Sequence, residues 1–487
     1  MARRPPLRLG DMLTELDIAV PPGLPAGVTG ITADSRQVRP GMIYAALPGI
    51  RADGRAFIGE AVARGAVAVL AAPDTVWPDG VPARPLIADP EPRRALALMA
   101  ALHAGAQPRM VVAVTGTNGK TSTAEFLRQL LALSGVRAAS LGTLGLIGPD
   151  GAGGPSLTTP DPVTLAETLA ALARDGVEGV AMEASSHGLD QCRLDGVRLA
   201  AAGFTNLTRD HLDYHGTVDA YRAAKLRLFS AVLPAGAPAV ACAELEPATL
   251  DALRAMAGSA LHTTGEGGSL IRLLWAIPQP HGQTLELDCN SVRRTVELPL
   301  PGRFQADNAL LAAGLAMVTG TGAALDLLSG LRGVRGRMEL AATLPNGAAV
   351  YVDYAHTPDA LDRLLRSLRP HTRGRLHVAF GAGGDRDRGK RPLMGAAAAA
   401  LADRVVVTDD NPRSENPASI RAAVLAACPG AVEIGDRATA IAAALDGLRP
   451  GDVLAVAGKG HEQGQTIGTE TLPFDDVSVV RRLVGAA

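Results

Sequence analysis

Val111–Val112–Ala113–Val114–Thr115–Gly116–Thr117–Asn118–Gly119–Lys120–Thr121–Ser122 is the stretch on which the fold turns. Its apolar opening suits a buried parallel strand, a loop with two glycines follows, and Ala124 to Leu133 are helix formers. Strand, glycine loop and helix in that order make an anion cradle, because unpaired N–H groups and the positive end of the helix dipole face one point. Lys120 adds a mobile charge suited to β- and γ-phosphates, and the Thr121 hydroxyl is a ligand type for Mg²⁺. Gly116, Thr117, Asn118, Gly119, Lys120, Thr121 and Ser122 are therefore candidate ATP-binding residues. The longer phosphate-loop pattern has glycine six places before the lysine. Here that place is Val114, and Gly116 stands only four before it, so the loop is a shortened variant. A plain strand-to-helix turn is the rival reading.

At 487 residues the chain is too long for one core, and three domains are expected. With 47 basic against 49 acidic residues there is no charge imbalance to recruit nucleic acid. Aromatic residues make up 3% of the chain, too few for single-strand stacking platforms. Cys192, Cys242, Cys289 and Cys428 are scattered without metal-ligand spacing and read as reduced thiols. Prolines and charges follow Arg3 and Arg4 where a signal region would be apolar, and no stretch approaches a membrane span. The expectation is a cytoplasmic monomer that acts on small molecules, without nucleic-acid partners or membrane insertion.

Around the central stretch, residues 1–88 alternate short strands and helices, a small α/β unit in which Asp34–Ser35–Arg36, Pro40–Gly41 and Gly54 mark loops. Asp89 is expected to cap a helix with Pro90 in its first turn, an apolar stripe of Ala95, Leu98, Met99 and Leu102, and a stop at Gly105. Val177 to Met182 reads as a strand followed by Glu183–Ala184–Ser185–Ser186–His187–Gly188. A carboxylate just past a strand end, in a sheet whose first strand feeds a phosphate loop, is placed to reach Mg²⁺; a helix-capping acid is the alternative. Thr205 to Gly216 contains His211–x–Asp213–x–His215, ligand-like in composition but short of a zinc set, and reads as a polar loop. Tyr221 and Lys225 share a face of a predicted helix, where a lysine is ordinarily solvated. Thr284 to Cys289 and Thr295 to Leu300 alternate like antiparallel ribbons, and Gly302 to Asn308 opens an alanine-rich helix.

From Ala349 the rhythm is that of a doubly wound sheet, with strands expected at Ala349–Val352, Leu376–Phe380, Arg404–Val407 and Val453–Val456. Each is followed by a polar loop: Asp353 to Pro358, Gly381 to Lys390, Asp409 to Arg413, and Gly458 to Glu462. Ligands bind beyond the carboxyl ends of such strands. Gly381–Ala382–Gly383–Gly384 lacks the spacing of a dinucleotide fingerprint, which argues against NAD.

Together the short Thr-Gly-Thr-Asn-Gly-Lys-Thr loop, Glu183–x–Ser–Ser–His187, Arg209–Asp–His–Leu–Asp–Tyr–His215 and Asp410–Asn–Pro–Arg413 resemble the Mur ligases of peptidoglycan synthesis. The likeness covers nearly the whole chain. It implies an α/β protein of three domains. Residues 1–88 would bind the UDP-sugar, 89–336 would form a P-loop parallel-sheet ATPase domain, and 337–487 a Rossmann-like domain for the amino acid. The branch most similar adds meso-diaminopimelate to UDP-N-acetylmuramoyl-L-alanyl-D-glutamate, forming ADP through an acyl phosphate, with closure of the domains to exclude water. By position, Ser35, Arg51 and Ala52 would touch the uridine nucleotide, and Thr158, Thr159, Ser185, Gln191 and Arg193 the muramoyl-dipeptide. Thr121 and Glu183 would hold one Mg²⁺; His211, Glu183 and a carbamylated Lys225 would hold or position a second. Lys120, Glu183, His211 and Lys225 are thus the candidate catalytic group. Asn308, Arg337, Asp353 and His356 would complete the ATP site. Arg386, Asp410, Asn411, Pro412, Arg413, Gly458 and Glu462 would bind diaminopimelate.

Two departures from the family pattern are Gln305, where asparagine is common, and Ala243–Glu244, where paired aspartates are common. Folylpolyglutamate synthetases share the short phosphate loop but not Asp-Asn-Pro-Arg. Within the family, an enzyme adding lysine is the nearer rival. From another class, a nucleotide-dependent switch would need Lys120 but not Glu183, His211 and Lys225 as well.

Overall fold

The computed structural model describes residues 8–49, 52–153 and 157–485, so Arg51 is the one expected site residue outside it. The chain divides into two compact units. One is built from the chain up to Lys120, Gly135–His262 and Val318–Thr321, the other from Thr121–Ser134, Thr263–Met317 and Gly322 onward.

In the first unit β1 (Gly30–Thr32), β2 (Met42–Ala45), β3 (Ala68–Ala71) and β4 (Leu86–Ala88) form a parallel sheet in that order. Side-chain alternation gives it two buried faces: Ile43 and Ala45 pack with Leu9, Leu13 and Met99, while Tyr44 packs with Ile58 and Val62. The following helix is Pro92–Ala104, two residues later than expected. Asp89 and Glu91 each precede a proline, which drives a residue out of the helical region, so the helix begins only after the second. Asp89 Oδ1 accepts from the Glu91 N–H at 2.7 Å, ahead of the helix. Leu96, not Leu98, joins Ala95 and Met99 in the buried stripe, and Gly105 at φ +91° ends the helix.

A second sheet in this unit runs β11-β10-β5-β9-β6-β7-β8. Its strands are β5 (Met110–Thr115), β6 (Ala138–Gly142), β7 (Gly145–Gly148), β8 (Gly151–Gly153), β9 (Gly179–Glu183), β10 (Ala201–Phe204) and β11 (Ala239–Cys242). The first five in the sheet order are parallel; β7 and β8 return antiparallel. β5 sits in the middle, buried on both faces, which is why its sequence is continuously apolar. Its neighbours pair Val114 with Glu183 and Thr115 with Phe204, so three strands end side by side.

β12 (Leu261–Gly265), whose residues from Thr263 onward belong to the second unit, lies parallel to β13 (Ile271–Gln279). β14 (Gly282–Cys289) and β15 (Val292–Leu298) complete an antiparallel meander. The expected ribbons are β14 and β15; β13, whose pattern is broken by a bulge near Leu273, escaped the sequence reading. The helix Arg303–Val318 is buried along most of its length, Gln305 included.

The last large sheet is ordered β16-β17-β21-β18-β19-β20, with β16 (Glu339–Thr343), β17 (Ala349–Asp353), β18 (Leu376–Phe380), β19 (Arg404–Val407), β20 (Val432–Glu433) and β21 (Val453–Ala457). All neighbours are parallel except β16 and β17. Leu361, Leu364, Leu365 and Leu368 of the helix Pro358–Leu368 cover one face, and Ile441 with Val477 and Val480 cover the other. A hairpin, β22 (Gly464–Ile467) and β23 (Glu470–Pro473), follows β21. Among the described residues no helix is long and apolar enough to cross a membrane.

Candidate active site

The glycine loop leaves β5 and feeds the helix Lys120–Leu133, which Thr121 and Ser122 open. A second segment, straight after β10, holds it from the side. Asn206 O accepts the Thr117 N–H at 2.8 Å, Asn206 Oδ1 the Asn118 N–H at 3.0 Å, and Thr205 Oγ1 donates to Asn118 O at 2.6 Å. Gly116 has φ +141°, and a Cβ there would sit 1.9 Å from Thr205 Oγ1, so no other residue fits. Lys120 Nζ donates to Gly116 O and Thr117 O, each at 2.9 Å. Asn206 and Thr205 were missed as loop partners; their position just past β10, beside β5, was the available signal.

Lys225 lies on the helix Val218–Arg227, one turn after Tyr221, with Nζ 4.5 Å from that ring's centroid. The shared face is confirmed, but the expected solvation is not: Lys225 is 1% exposed, and Nζ donates to Gly116 O at 2.7 Å. The face turns inward against the phosphate loop. Burial, with Lys120 nearby, pushes the Lys225 amine down to about 6.

Glu183 ends β9 and is 2% exposed. Its carboxylate accepts the Thr143 N–H at 2.7 Å and the Thr143 hydroxyl at 3.2 Å. It occupies the space over Gly142, where a Cβ would lie 2.1 Å from Glu183 Oε1. The five residues expected at the dipeptide form a connected group around it. Thr158 Oγ1 is 3.1 Å from Thr143 Oγ1, Thr159 Oγ1 donates to Glu183 O and accepts the Ser185 N–H, and Ser185 Oγ caps the short helix Ser186–Asp190. Arg193 donates to Thr159 O at 2.6 Å and to Gln191 Oε1 at 2.8 Å. His211, half-exposed and at φ +51°, lies edge-on to His187 with ring centroids 5.1 Å apart. Ser35 stands apart on the N-terminal sheet's loops, donating to Glu60 Oε2 at 2.9 Å, and Ala52 is exposed.

In the second unit β17, β21, β18 and β19 end level, since Asp353 and Phe380 both pair with Ala457 and Phe380 pairs with Val407. The four loops therefore share one edge, as expected. Asp353 accepts the Met338 and Ala355 N–H groups, and burial pushes its carboxyl up against the opposing pull of Arg337. Arg337 lies over the Tyr354 ring, 5.1 Å from its centroid, and His356 Nδ1 donates to Tyr354 O at 2.8 Å. Asn308 is buried, with Oδ1 3.5 Å from Thr123 Oγ1. Asp410 and Asn411 are buried, and Pro412 with them. Asn411 Nδ2 donates to Glu462 Oε2 at 2.9 Å. Gly458 takes φ +116°, and a Cβ there would meet Asp410 Oδ2 at 2.6 Å. Arg413, at φ +51°, donates from Nη1 to Gly384 O at 2.8 Å, and Arg386 is exposed nearby in sequence. The hairpin pins this loop: Arg413 N donates to Thr466 O, Gly468 N to Arg413 O, and Gln465 Nε2 to Asp410 O.

Three family models match the chain: the Mur ligase family catalytic domain over residues 27–131, the Mur ligase middle domain over 114–316, and the Mur ligase glutamate ligase domain over 336–460. A protein of Mesorhizobium japonicum, named UDP-N-acetylmuramoyl-L-alanyl-D-glutamate--2,6-diaminopimelate ligase, is 53% identical over 479 residues, 98% of each chain. The chain belongs to the Mur ligase family. A relative of the same name from Caulobacter vibrioides is 54% identical over 93% of this chain and 94% of its own. A solved structure carrying that name superposes with TM-score 0.71 at 34% identity, covering 94% of this chain and 95% of its own. A folylpolyglutamate synthase of Mycobacterium tuberculosis shares the fold, with TM-score 0.61 at 20% identity over 81% of this chain and 95% of its own.

In this Mur ligase the donors near the phosphate loop suit Mg²⁺. Glu183 is a hard oxygen ligand preset over Gly142. Mg²⁺ is bound in this way, by one or two carboxylates with phosphates and water completing the octahedron. Gln305 donates from Nε2 to Arg337 O at 3.1 Å, while its Oε1 is buried without a hydrogen-bond partner among the described residues, so the longer amide bridges to the Arg337 backbone. Ala243 and Glu244 follow β11 near the surface.

Proposed function

We propose that this Mur ligase joins meso-diaminopimelate to UDP-N-acetylmuramoyl-L-alanyl-D-glutamate, converting ATP to ADP and phosphate. The observation that carries this reading is the near-full-length identity to relatives bearing one name. The γ-carboxylate of the D-glutamyl residue attacks the γ-phosphorus of ATP, ADP leaves, and an acyl phosphate forms. The free amine of diaminopimelate then attacks the acyl carbon, the attacking nitrogen loses a proton to solvent, and phosphate leaves as the amide forms. The backbone N–H groups at the start of the helix Lys120–Leu133, with Lys120, offset charge on the phosphoryl group in flight. Thr159, Ser185, Gln191 and Arg193 orient the glutamyl arm. Mg²⁺, when bound, supplies Lewis-acid neutralisation of the phosphates; Thr121 and Glu183 would hold one ion, and His211, Glu183 and a carbamate on Lys225 would hold or position a second. Lys225 is suited to that modification because a buried amine is readily neutral, and only the neutral amine adds CO₂. Ser35, with Arg51 and Ala52, takes the uridine end. The soluble nucleotide substrates make the cytoplasm the expected compartment.

The amino-acid choice rests on Arg413. Diaminopimelate carries a second carboxylate that lysine lacks, and Nε and Nη2 of Arg413 are the pair suited to grip it. Sites built to bond a group reject analogues lacking it by up to about 10⁴–10⁵. A ligation assay over a panel of amino acids tests this: diaminopimelate should be used and lysine nearly inactive. Comparable kcat/KM for the two would sink the substrate assignment.

A further inference from the structure

Lys459 follows Gly458 in the loop after β21 and is fully buried, at 0% exposure. Three side-chain oxygens of the strand-end loops lie around its Nζ: Asn411 Oδ1 at 3.0 Å, Glu462 Oε2 at 3.4 Å and Asp410 Oδ1 at 3.9 Å. An ammonium taken out of water is costly, and a purely structural plug there would be better served by an apolar side chain. What the ammonium does is orient its neighbours. Asn411 Oδ1 accepts from Lys459 Nζ and from the Thr466 N–H at 2.9 Å, which turns the Asn411 amide so that Nδ2 faces Glu462 Oε2. Glu462 Oε2 is then held from two sides, by Asn411 and Lys459. Its Oε1 makes no hydrogen bond among the described residues, and Glu462 remains one-third exposed. One carboxylate oxygen is thus anchored and the other is left for a ligand ammonium, while the second Nδ2 hydrogen of Asn411 is left for a ligand acceptor.

We propose that Lys459 is a positioning residue for the incoming amino acid, fixing Asn411 and Glu462 in the one arrangement that leaves a paired donor and acceptor for it. With no exposed surface Lys459 touches no substrate itself. The inference rests on the ligase reading above and adds a residue to it. Burial lowers the basicity of Lys459, with Arg437 adding to the effect and Asp410 and Glu462 opposing it.

The test compares Lys459→Met, which removes the donors at similar length, with Lys459→Gln, which keeps one. KM is measured separately for diaminopimelate, ATP and the UDP-muramoyl-dipeptide, beside thermal unfolding of each protein. Lys459→Met should raise the diaminopimelate KM about tenfold or more, the size of a lost charged hydrogen bond, and Lys459→Gln should recover part of it. The other two KM values should stay within about twofold. An unchanged diaminopimelate KM, a parallel rise of all three, or unfolding of both variants makes Lys459 a plain structural cement and overturns the proposal. If the unmodified enzyme uses a different amino acid, the ligase substrate reading fails, and the same KM split with that amino acid still decides the role of Lys459. Ligation of no amino acid overturns both.

Discussion

Lys225 changes character between chain and structure. On a helix read in isolation it is a surface cation; against the phosphate loop it is a buried amine bonded to Gly116 O. Lys225→Ala should lower turnover at least about 10²-fold, as expected when a group stabilising charge in the transition state is removed. If the working group is a carbamate, formate or acetate should restore part of the rate by filling the same space with a carboxylate. Failure of any short acid to rescue, with the variant folded, would count against the modification. Arg413 is the other residue whose pose matters. One guanidinium nitrogen donates to Gly384 O, so the proposed grip on diaminopimelate would fall to Nε and Nη2. Arg413→Ala should cut kcat/KM for diaminopimelate by about 10²-fold or more, by analogy with other charged bidentate contacts, and leave the ATP KM unaltered.

At the level of elements, the helix Asp476–Leu483 is tied to the sheet by a bidentate pair. Arg437 Nε and Nη2 donate to the two Asp476 oxygens, each at 2.7 Å, with both side chains at 0% exposure. Nη2 also donates to Ala457 O, the residue where β21 gives way to the Gly458–Glu462 loop. The pair therefore anchors a strand end that carries the candidate site. Removing one partner strands a buried charge, so Asp476→Ala should cost about 3–5 kcal/mol in a denaturant titration. The double change Arg437→Met with Asp476→Leu should cost far less, because no charge is left unpaired. A loss below about 1 kcal/mol in the single variant would show that water reaches the site. The β22–β23 hairpin acts on the same edge by backbone bonds to Arg413, a pairing with no counterpart in its own alternation.

Across the whole molecule six buried or part-buried histidines share one direction of pH response. His187, His215, His356, His371, His377 and His461 are all held below the ordinary 6.5 by burial, His461 to about 4. His371 shows why protonation is resisted: Nδ1 donates to Gln279 O at 2.7 Å while Nε2 accepts the Gly302 N–H at 2.8 Å, and a charged ring would have no acceptor to offer. Between the folded values and 6.5 the unfolded chain binds more protons, so stability rises with pH in that window. The histidine contribution is fully present above 6.5 and is lost as pH falls toward 4. The urea midpoint should drop steadily from about pH 7 to about pH 4.5, the interval spanned by depressed imidazoles; a flat profile would contradict these burials.

The local grammar of this protein was legible in its chain alone. Apolar-rich runs marked β5, β17, β18 and β21, because strands buried on both faces need little polar alternation. Glycines with positive φ marked the loops at Gly116 and Gly458, where a side chain has no room. Those signals were enough to place the phosphate loop, Glu183 and the four strand-end loops. Tertiary structure alone decided which neighbours meet. The strand order brings β10 beside β5, so Thr205 and Asn206 grip the loop, and it turns the helix face of Lys225 inward. It also buries Lys459 among Asp410, Asn411 and Glu462, roughly fifty residues away along the chain for the first two. Hydrogen bonds between distant segments leave no periodicity in either one. Their partners are set by sheet order and register, which are chosen by packing of the whole domain and not by any local run of residues.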